Sequence, residues 1–235
     1  MLGCYTTTRA TGGRVWQARR HARRLVRDAL LLGLGRLDFE TCLHALEELG
    51  APTRDGATAI VRLAVERHGG ALRLVPSQRA WGDDPPTWRA AIAKHAHPGA
   101  SVSSQAKSTA RALYEKALAA AQAAGAQDAL LFDRGGFLVE GARTNVVVVR
   151  ADGALVTPPL ARGCVAGIAR EVLFDVVPEL REDDVAVGEL AIARELIAIN
   201  AVRGARAISH LDDAAIAGAE PGPWCARLAL ALQDD

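Results

Sequence analysis

The chain has 235 residues, half of them hydrophobic, so it is long and apolar enough to bury a substantial core. A disordered chain and a mini-protein are therefore excluded. Its 28 basic and 27 acidic residues give a formal net charge of +1, which argues against a general polyanion binder. We expect a small-molecule partner and no nucleic acid.

The cysteines and the apolar runs indicate where the protein works. Cys4, Cys42, Cys164 and Cys225 are scattered without a close pair, which disfavours a zinc cage and a disulfide framework and predicts a cytoplasmic location. No run approaches the roughly 18 apolar residues of a membrane helix, and residues 1–14 are too polar for the core of a secretory signal. We therefore expect no membrane association.

The first predicted elements are a hairpin and a helix. The β-branched segment CYTTTRA and the segment RVWQ flank Gly12 and Gly13, which is typical of a hairpin. The helix predicted over Arg19–Leu32 places arginines on one stripe and apolar residues on another.

A second helix and a second hairpin follow. The helix Phe39–Leu49 can be capped by Asp38 or Thr41 and ends at Gly50. The segments TAIVRLAVER and ALRLVPSQ are predicted strands around the turn HGG. Residues 81–104 are rich in Pro, Gly and Ser, so most of that stretch is interpreted as a connection between two lobes. The predicted lobes are residues 1–98 and residues 99–235.

The second lobe is predicted to begin with a helix and to continue through a set of strands. The helix AKSTARALYEKALAAAQAAG is ended by Gly125. The predicted strands are DALLFD, FLVEGARTNVVVVR interrupted by a small-residue turn, ALVTPP, DVAVGEL, ARELIAINAV and RAISHLD. Helices are predicted for GIAREVLFDVV and PGPWCARLALALQ, the latter with prolines at its start. Strands that run together between helices indicate an α/β (α+β) architecture.

Lysine chemistry has three candidates, Lys94, Lys107 and Lys116, because every other basic residue is an arginine. Lys107 falls in the first turn of its predicted helix, where the helix dipole disfavours a cation. With Arg111 one turn further on, its pKa should be depressed and its amine available for a Schiff base. The alternative is a solvated lysine at a frayed helix end.

Two small-residue segments offer cofactor contacts. In VEGARTNVVVV, Glu140 ends one apolar strand and Asn145 begins the next. A carboxylate there suits a cofactor, but a solvated Glu140 and a left-handed turn at Asn145 explain the pattern equally well. In PPLARGCVAGIAR, Gly167 precedes a helix whose first amides, those of Ile168 and Ala169, would point at an anion.

Two further signals are weak. The arginines of the helix could contact nucleic acid, but with a net charge of +1 and no aromatic interleaving the helix is interpreted as a solvated face with one or two buried anion contacts. His95 and His97 lie in a Pro-containing loop without a carboxylate cluster, and we predict no metal site.

Six segments taken in order resemble one family. GCYTTTRATGGRV, HARRL, the segment opened by Lys107, ALLFDRGGFLVEGARTNVVVV, TPPLARGCVAGIAREV and INAVRGARAI are similar to the successive motifs of the fold-type IV pyridoxal-phosphate enzymes, the class IV aminotransferase family. The resemblance implies a two-lobed fold with pyridoxal 5'-phosphate between the lobes, and a homodimer. GCYTTTR, Arg111 and INAVRG look most like aminodeoxychorismate lyase, with branched-chain and D-amino-acid transaminases as near relatives.

The resemblance also implies roles for individual residues. Lys107 becomes the Schiff-base lysine and proton shuttle, and Glu140 the carboxylate that faces the pyridine nitrogen, with Asn145 beside it. Arg24, in the pattern His21-x-x-Arg24, is expected to bind the cofactor phosphate. The backbone amides of Ile168, Ala169 and of Ala201 after Asn200 would complete the phosphate cup, and Arg111 would reach cofactor or substrate. The candidate substrate residues are Tyr5, Thr7, Arg67 and Arg143.

Three functions follow from the resemblance. The first is lyase activity on 4-amino-4-deoxychorismate, which gives 4-aminobenzoate and pyruvate and would belong to folate biosynthesis. The second is an aminotransferase of the branched-chain or D-amino-acid type. The third is a non-catalytic member that binds the cofactor or a metabolite. Members of the family usually have a further strand before GCYTTTR. Because Gly3 lies only two residues after Met1, we expect the fold to be shortened at the N-terminus, and this expectation motivates the third function.

Overall fold

A computed structural model describes residues 3–53, 55–216 and 220–233. The expected shortening of the fold at the N-terminus concerns residues before Gly3, which lie outside the described residues. Contacts divide the chain into two units: the first contains the residues up to Asp83 together with Gln105–Ala110, and the second contains Asp84–Ser104 and most of the chain from Arg111 onward. This division falls earlier than the expected boundary after residue 98, and it groups Lys107 with the first unit.

The first unit is an antiparallel sheet with two helices. Its elements in chain order are β1 Gly3–Thr11, β2 Arg14–Val15, α1 Ala18–Leu31, α2 Phe39–Gly50, β3 Thr58–His68 and β4 Ala71–Ala80. The strands pair in the order β2-β1-β3-β4, with both predicted hairpins present. The two helices pack together and against the sheet through fully buried leucines such as Leu25, Leu46 and Leu63. Asp38 caps α2 by accepting a hydrogen bond from the Thr41 amide.

The second unit is built on a larger mixed sheet. Its elements are β5 Thr87–Ile92, α3 Ala112–Ala123, β6 Asp128–Phe132, β7 Leu138–Gly141, β8 Asn145–Val149, β9 Leu155–Thr157, α4 Ile168–Val176, β10 Arg181–Glu182, α5 Val187–Leu190, β11 Glu195–Asn200, β12 Gly204–Leu211, β13 Ala214–Ala215 and α6 Pro223–Ala231. The strand order is β10-β9-β8-β11-β12-β5-β6-β7, with β13 beside β12. The strands β5 and β6 pair in parallel, as do β5 and β12. The predicted mixed α/β class is confirmed.

Three local predictions are wrong. The stretch interpreted as a connection contains β5, which becomes a strand because β6 and β12 supply partners on both sides. The segment DVAVGEL contains no strand; its last four residues form α5, whose first turn is closed by Glu189 accepting the Ala186 amide. The helix expected around Lys107 begins only at Ala112.

Within the described residues, no helix combines the length and the apolar run that a membrane span requires.

Candidate functional site

The backbone of Lys107 is held on both sides within the first unit. Its amide donates to Oδ2 of Asp28 at 2.8 Å, and its carbonyl accepts from the Tyr5 amide at 3.0 Å. Asp28 is fully buried near the end of α1, and its other oxygen accepts from Arg27 at 2.7 Å. These contacts fix the position from which the lysine side chain leaves the backbone.

The local setting of Lys107 differs from the predicted one. Its segment is extended and pairs with β1, through a bridge between Cys4 and Ser108 and a hydrogen bond from the Thr109 amide to the Gly3 carbonyl. The hypothesis that a helix N-terminus acts on the lysine is therefore wrong, because α3 begins five residues later. The Lys107 ammonium instead lies 5.1 Å from the centroid of the Tyr5 ring, a cation–π contact.

A buried polar cluster lies on α1 and β1 of the same unit. Arg24 is buried and donates through Nη2 to Oγ1 of Thr6, and the same oxygen contacts Nδ1 of His21. Burial, together with the charges of Arg24 and Lys107, holds the pKa of His21 well below its ordinary value. The imidazole is therefore neutral, and its Nδ1 shares a hydrogen bond with the Thr6 hydroxyl. Its other nitrogen, Nε2, is buried and has no hydrogen-bond partner among the described residues.

The buried histidines predict that stability depends on pH. Burial also lowers the pKa of His97, so in the folded state both imidazoles resist the proton that the unfolded chain takes up. Their contribution to stability is complete above the ordinary pKa of 6.5 and is lost as the pH falls below it. We expect the free energy of unfolding to fall by up to about 1.4 kcal/mol per pH unit for each histidine.

Urea unfolding at a series of pH values from 8 downward measures this effect. The variant His97→Gln should lose one histidine's share of the pH dependence, whereas the exposed His68→Gln should keep all of it. A free energy of unfolding that stays constant through pH 6 would contradict the prediction.

Glu140 is a buried carboxylate with a partner on each oxygen. The residue is 3% exposed; Oε1 accepts from the Tyr114 hydroxyl at 2.8 Å and Oε2 from the Val165 amide at 3.0 Å. The interpretation of Glu140 as a solvated turn residue is therefore wrong. The end of β7 and the loop before α4 meet at this carboxylate.

Asn145 fixes the same loop from β8. Its Nδ2 donates to the Val165 carbonyl at 3.0 Å, and its Oδ1 would lie 2.0 Å from a Cβ placed on Gly167. Only glycine fits there, so the chain can pass close to the amide and turn into α4. Asn145 begins a strand and is not among the left-handed residues of the described chain, so its interpretation as a turn former is wrong.

The start of α4 has the predicted form. Gly167 is its N-cap, no side chain in the described part of the protein caps it, and Ile168 and Ala169 are buried at its first turn. Uncapped amides at a helix start favour an anion.

Asp128 is a buried residue that the sequence analysis missed. It is fully buried beneath the turn between Glu140 and Asn145, where its carboxylate accepts from the Thr144 hydroxyl at 2.6 Å and from the Ala129 amide at 2.9 Å. Burial raises the pKa of this carboxyl, and the hydrogen bonds that it accepts partly oppose this rise. A Cβ on Gly141 would lie 2.5 Å from Asp128 Oδ2, so the turn packs tightly on the carboxylate. No local pattern in DALLF announces this role.

Of the remaining predicted residues, Arg111 and Asn200 have firm places. Arg111 donates through Nη2 to the Ala142 carbonyl, and its guanidinium lies 4.4 Å from the centroid of the Tyr114 ring. Oδ1 of Asn200 accepts from the amides of Val202 and Arg203, at 2.9 and 2.7 Å, which shapes the turn that contains Ala201.

Three of the four substrate candidates belong to the first unit and one belongs to the second. Tyr5 is buried beside Lys107, with the Arg62 guanidinium 3.9 Å from its ring centroid. Thr7 lies two residues along β1, and Arg67 donates to the carbonyls of Gly33 and Leu34. Arg143 stacks on Trp88 in the second unit, 4.7 Å from the ring centroid. Their contact with a substrate stays a prediction.

A family model matches most of the chain, and two curated relatives match about a third of it. Residues 3–211 match the family described as Amino-transferase class IV. The aminodeoxychorismate lyase of Saccharomyces cerevisiae is 35% identical over 79 residues, which are 32% of this chain and 21% of that protein. A putative branched-chain-amino-acid aminotransferase of Methanocaldococcus jannaschii is 35% identical over 77 residues, which are 31% of this chain and 26% of that protein. The aligned parts therefore span about a quarter or less of these two curated relatives.

The fold is similar to a solved structure along nearly its whole length. A hypothetical aminotransferase from Mycobacterium tuberculosis, in its PLP-bound form, superposes with a TM-score of 0.84 at 20% identity. The superposition covers 98% of this chain and 87% of the other.

Proposed function

Because the chain belongs to the Amino-transferase class IV family, we propose that it is a pyridoxal-phosphate-dependent lyase that converts 4-amino-4-deoxychorismate into 4-aminobenzoate and pyruvate. Pyridoxal phosphate is the cofactor of this family, as the motifs predicted. The observation that carries the proposal is the buried carboxylate of Glu140, fixed by Tyr114 and Val165. A carboxylate held in this way can face a protonated ring nitrogen.

The donor set of the chain fits the cofactor. The amine of Lys107, whose backbone amide is held by Asp28, suits the cofactor's aldehyde, and the carboxylate of Glu140 suits its ring nitrogen. His21 has a buried Nε2 without a partner among the described residues, and a neutral imidazole with its proton there would donate to a phosphate oxygen. The aldehyde, the ring nitrogen and the phosphate of pyridoxal phosphate thus each have a candidate partner in this chain.

Arg24 would bind the phosphate together with His21. Its guanidinium is already buried and oriented by Thr6, so binding would cost little side-chain entropy. The amides of Ile168 and Ala169 at the uncapped start of α4, and that of Ala201 in the turn shaped by Asn200, would supply further donors.

Lys107 would move the proton. When bound, pyridoxal phosphate supplies an aldehyde carbon that joins the substrate amine and a pyridinium ring that accepts electrons from the neighbouring carbon. The Lys107 amine would remove the proton from the ring carbon that bears the amino group. The bond from the adjacent carbon to the enolpyruvyl oxygen would then break, and a proton returned to the enol would give pyruvate.

The choice of lyase rests on the motifs GCYTTTR and INAVRG, on Arg111, and on the similarity to the yeast aminodeoxychorismate lyase. The similarity to an archaeal branched-chain aminotransferase supports the second candidate, a transaminase. In that reaction Lys107 would move the proton from the substrate Cα to the cofactor and a keto acid would leave. A non-catalytic binder is the third candidate.

One assay separates the three candidates. Protein purified with pyridoxal phosphate is incubated with aminodeoxychorismate and, separately, with L- and D-amino acids in the presence and absence of a keto acid. The proposal expects pyruvate and 4-aminobenzoate without any amino acceptor. Product formed only with an amino acid and a keto acid together would establish a transaminase, and bound cofactor without turnover would establish the binder.

Among the arginines of α1, Arg24 is predicted to contribute most to the affinity for the cofactor. The variant Arg24→Ala loses a charge-assisted contact, so the cofactor dissociation constant should rise by about 10- to 150-fold. Arg20 lies on the same helix, donates to the side chain of Gln17 just before it and serves as the matched control, and Arg20→Ala should leave the constant nearly unchanged. Titration of cofactor into the apo variants measures both.

Arg27→Ala is the third variant of this comparison. In the alternative hypothesis, the arginines of this helix, including Arg20, Arg24 and Arg27, bind nucleic acid. In that case their alanine variants would weaken a salt-sensitive affinity for DNA or RNA to similar extents and leave the cofactor constant unaffected. Equal cofactor affinity in the three variants would overturn the phosphate assignment of Arg24.

A further inference from the structure

A chain of hydrogen bonds leads through the second unit to Glu140. The His97 ring nitrogen Nε2 lies 2.8 Å from the Tyr114 hydroxyl, which lies 2.8 Å from Oε1 of Glu140. At the other end, the Gly99 amide donates to Nδ1 of His97 at 3.0 Å. His97 and Glu140 are both nearly completely buried, at 2% and 3% exposure.

The Gly99 amide sets the direction of the chain. Because it can only donate, Nδ1 of His97 must accept and the imidazole proton lies on Nε2. Nε2 therefore donates to the Tyr114 oxygen, and the Tyr114 proton points at Glu140. Every link donates toward the carboxylate, so each polarises the next in the same sense.

The electrostatics keep this arrangement in one protonation state. Burial lowers the pKa of His97, so the imidazole stays neutral. Burial and the charge of Glu140 raise the pKa of Tyr114, which keeps its proton although the Arg111 guanidinium over its ring opposes the rise. Two neutral groups thus deliver a hydrogen bond to a buried carboxylate without bringing a competing cation.

The hydrogen bonds to Glu140 also limit how its side chain can rotate. Tyr114 approaches Oε1 from α3, while the Val165 amide approaches Oε2 from the loop before α4. With both oxygens engaged from different elements, the orientation of the carboxylate is fixed.

We propose that His97 and Tyr114 are positioning residues that keep Glu140 ionised and oriented toward the cofactor's ring nitrogen. The inference rests on the proposed function in one respect, the placement of Glu140 at that nitrogen. Neither residue touches the reacting atoms. They act by stabilising the charged form of Glu140, which in turn stabilises a protonated ring.

The test reads the ring nitrogen itself. Holoprotein is prepared with pyridoxal phosphate labelled with ¹⁵N in the ring, and the NMR shift reports whether that nitrogen carries a proton. The variant Tyr114→Phe removes only the hydroxyl. It should lower the ratio of protonated to neutral ring by about 10- to 150-fold, the equivalent of one charge-assisted hydrogen bond.

Three further variants control the experiment. His97→Gln keeps a donor for Tyr114 and should resemble the wild type, whereas His97→Leu loses it and should shift the signal in the direction of Tyr114→Phe. Thr157→Val removes a buried hydroxyl of the same unit, which donates to the Val146 carbonyl at 2.7 Å outside the chain, and should leave the shift unchanged.

The outcomes separate the inference from the proposed function. If Glu140→Gln leaves the ring signal unchanged, Glu140 does not face the nitrogen and both fail. If Glu140→Gln shifts the signal but Tyr114→Phe and His97→Leu do not, the proposed function stands and the positioning role is overturned. Shifts in all three, with Thr157→Val and His97→Gln unaffected, support it.

Discussion

Replacement of Lys107 by alanine is expected to abolish the absorbance of the cofactor bound through lysine and to lower turnover by about 10⁴-fold. The variant loses both the covalent attachment of the cofactor and the base that moves the proton. The effect should be local, because the contacts that anchor this position, from the Lys107 amide to Asp28 and from the Tyr5 amide to its carbonyl, are backbone contacts that alanine retains.

The matched control is Lys116→Ala. Lys116 is exposed on α3, so its removal should change neither the spectrum nor turnover. Cofactor binding measured by its retention on gel filtration separates loss of the covalent bond from loss of the site. Turnover in Lys107→Ala within about tenfold of the wild type would remove Lys107 from the mechanism.

Neutralising Glu140 as Glu140→Gln is expected to lower kcat by at least about 10²-fold while the cofactor dissociation constant changes by less than about tenfold. The amide keeps the size of the side chain and can still accept from the Val165 amide, so the loop before α4 should stay in place. What is lost is the negative charge that keeps the ring nitrogen protonated and the ring able to accept electrons.

The comparison of kcat with cofactor affinity distinguishes this role from a structural one. Thr144→Val is a suitable control, because it removes the hydroxyl that donates to Asp128 beneath the same turn without changing the charge of Glu140. A purely structural Glu140 would lower cofactor affinity and thermal stability in both variants and spare kcat. Near-normal kcat in Glu140→Gln would contradict the electronic role.

Much of the fold could be predicted because its local signals are strong. The Gly12–Gly13 and HGG turns, the stripe of α1, the Asp38 cap and Gly167 before α4 all act through neighbours in sequence, and each is confirmed. The family resemblance, the fold type and the cofactor are also confirmed, since motifs in order are robust to local errors.

Two of the wrong predictions failed because they depended on partners far along the chain. Lys107 lies in a segment that is extended because β1 offers backbone partners, and a helical pattern cannot reveal a competing strand about 100 residues away in sequence. The strand β5 is hidden among prolines and glycines for the same reason.

The supports of Glu140 were also invisible to local patterns. His97 and Tyr114 come from separate segments, and the one available hint is that Tyr114 follows Arg111 by three residues and so shares its side of the helix. A homodimer and a cytoplasmic location stay predictions.

Covalent binding of the cofactor by Lys107 is tested most directly by finding which lysine carries it. The holoprotein is reduced with borohydride, digested, and mapped by mass spectrometry, with Lys94 and Lys116 as internal controls because both are exposed. We predict a pyridoxyl group on Lys107 alone. Label on Lys94 or Lys116 in place of Lys107 would contradict it.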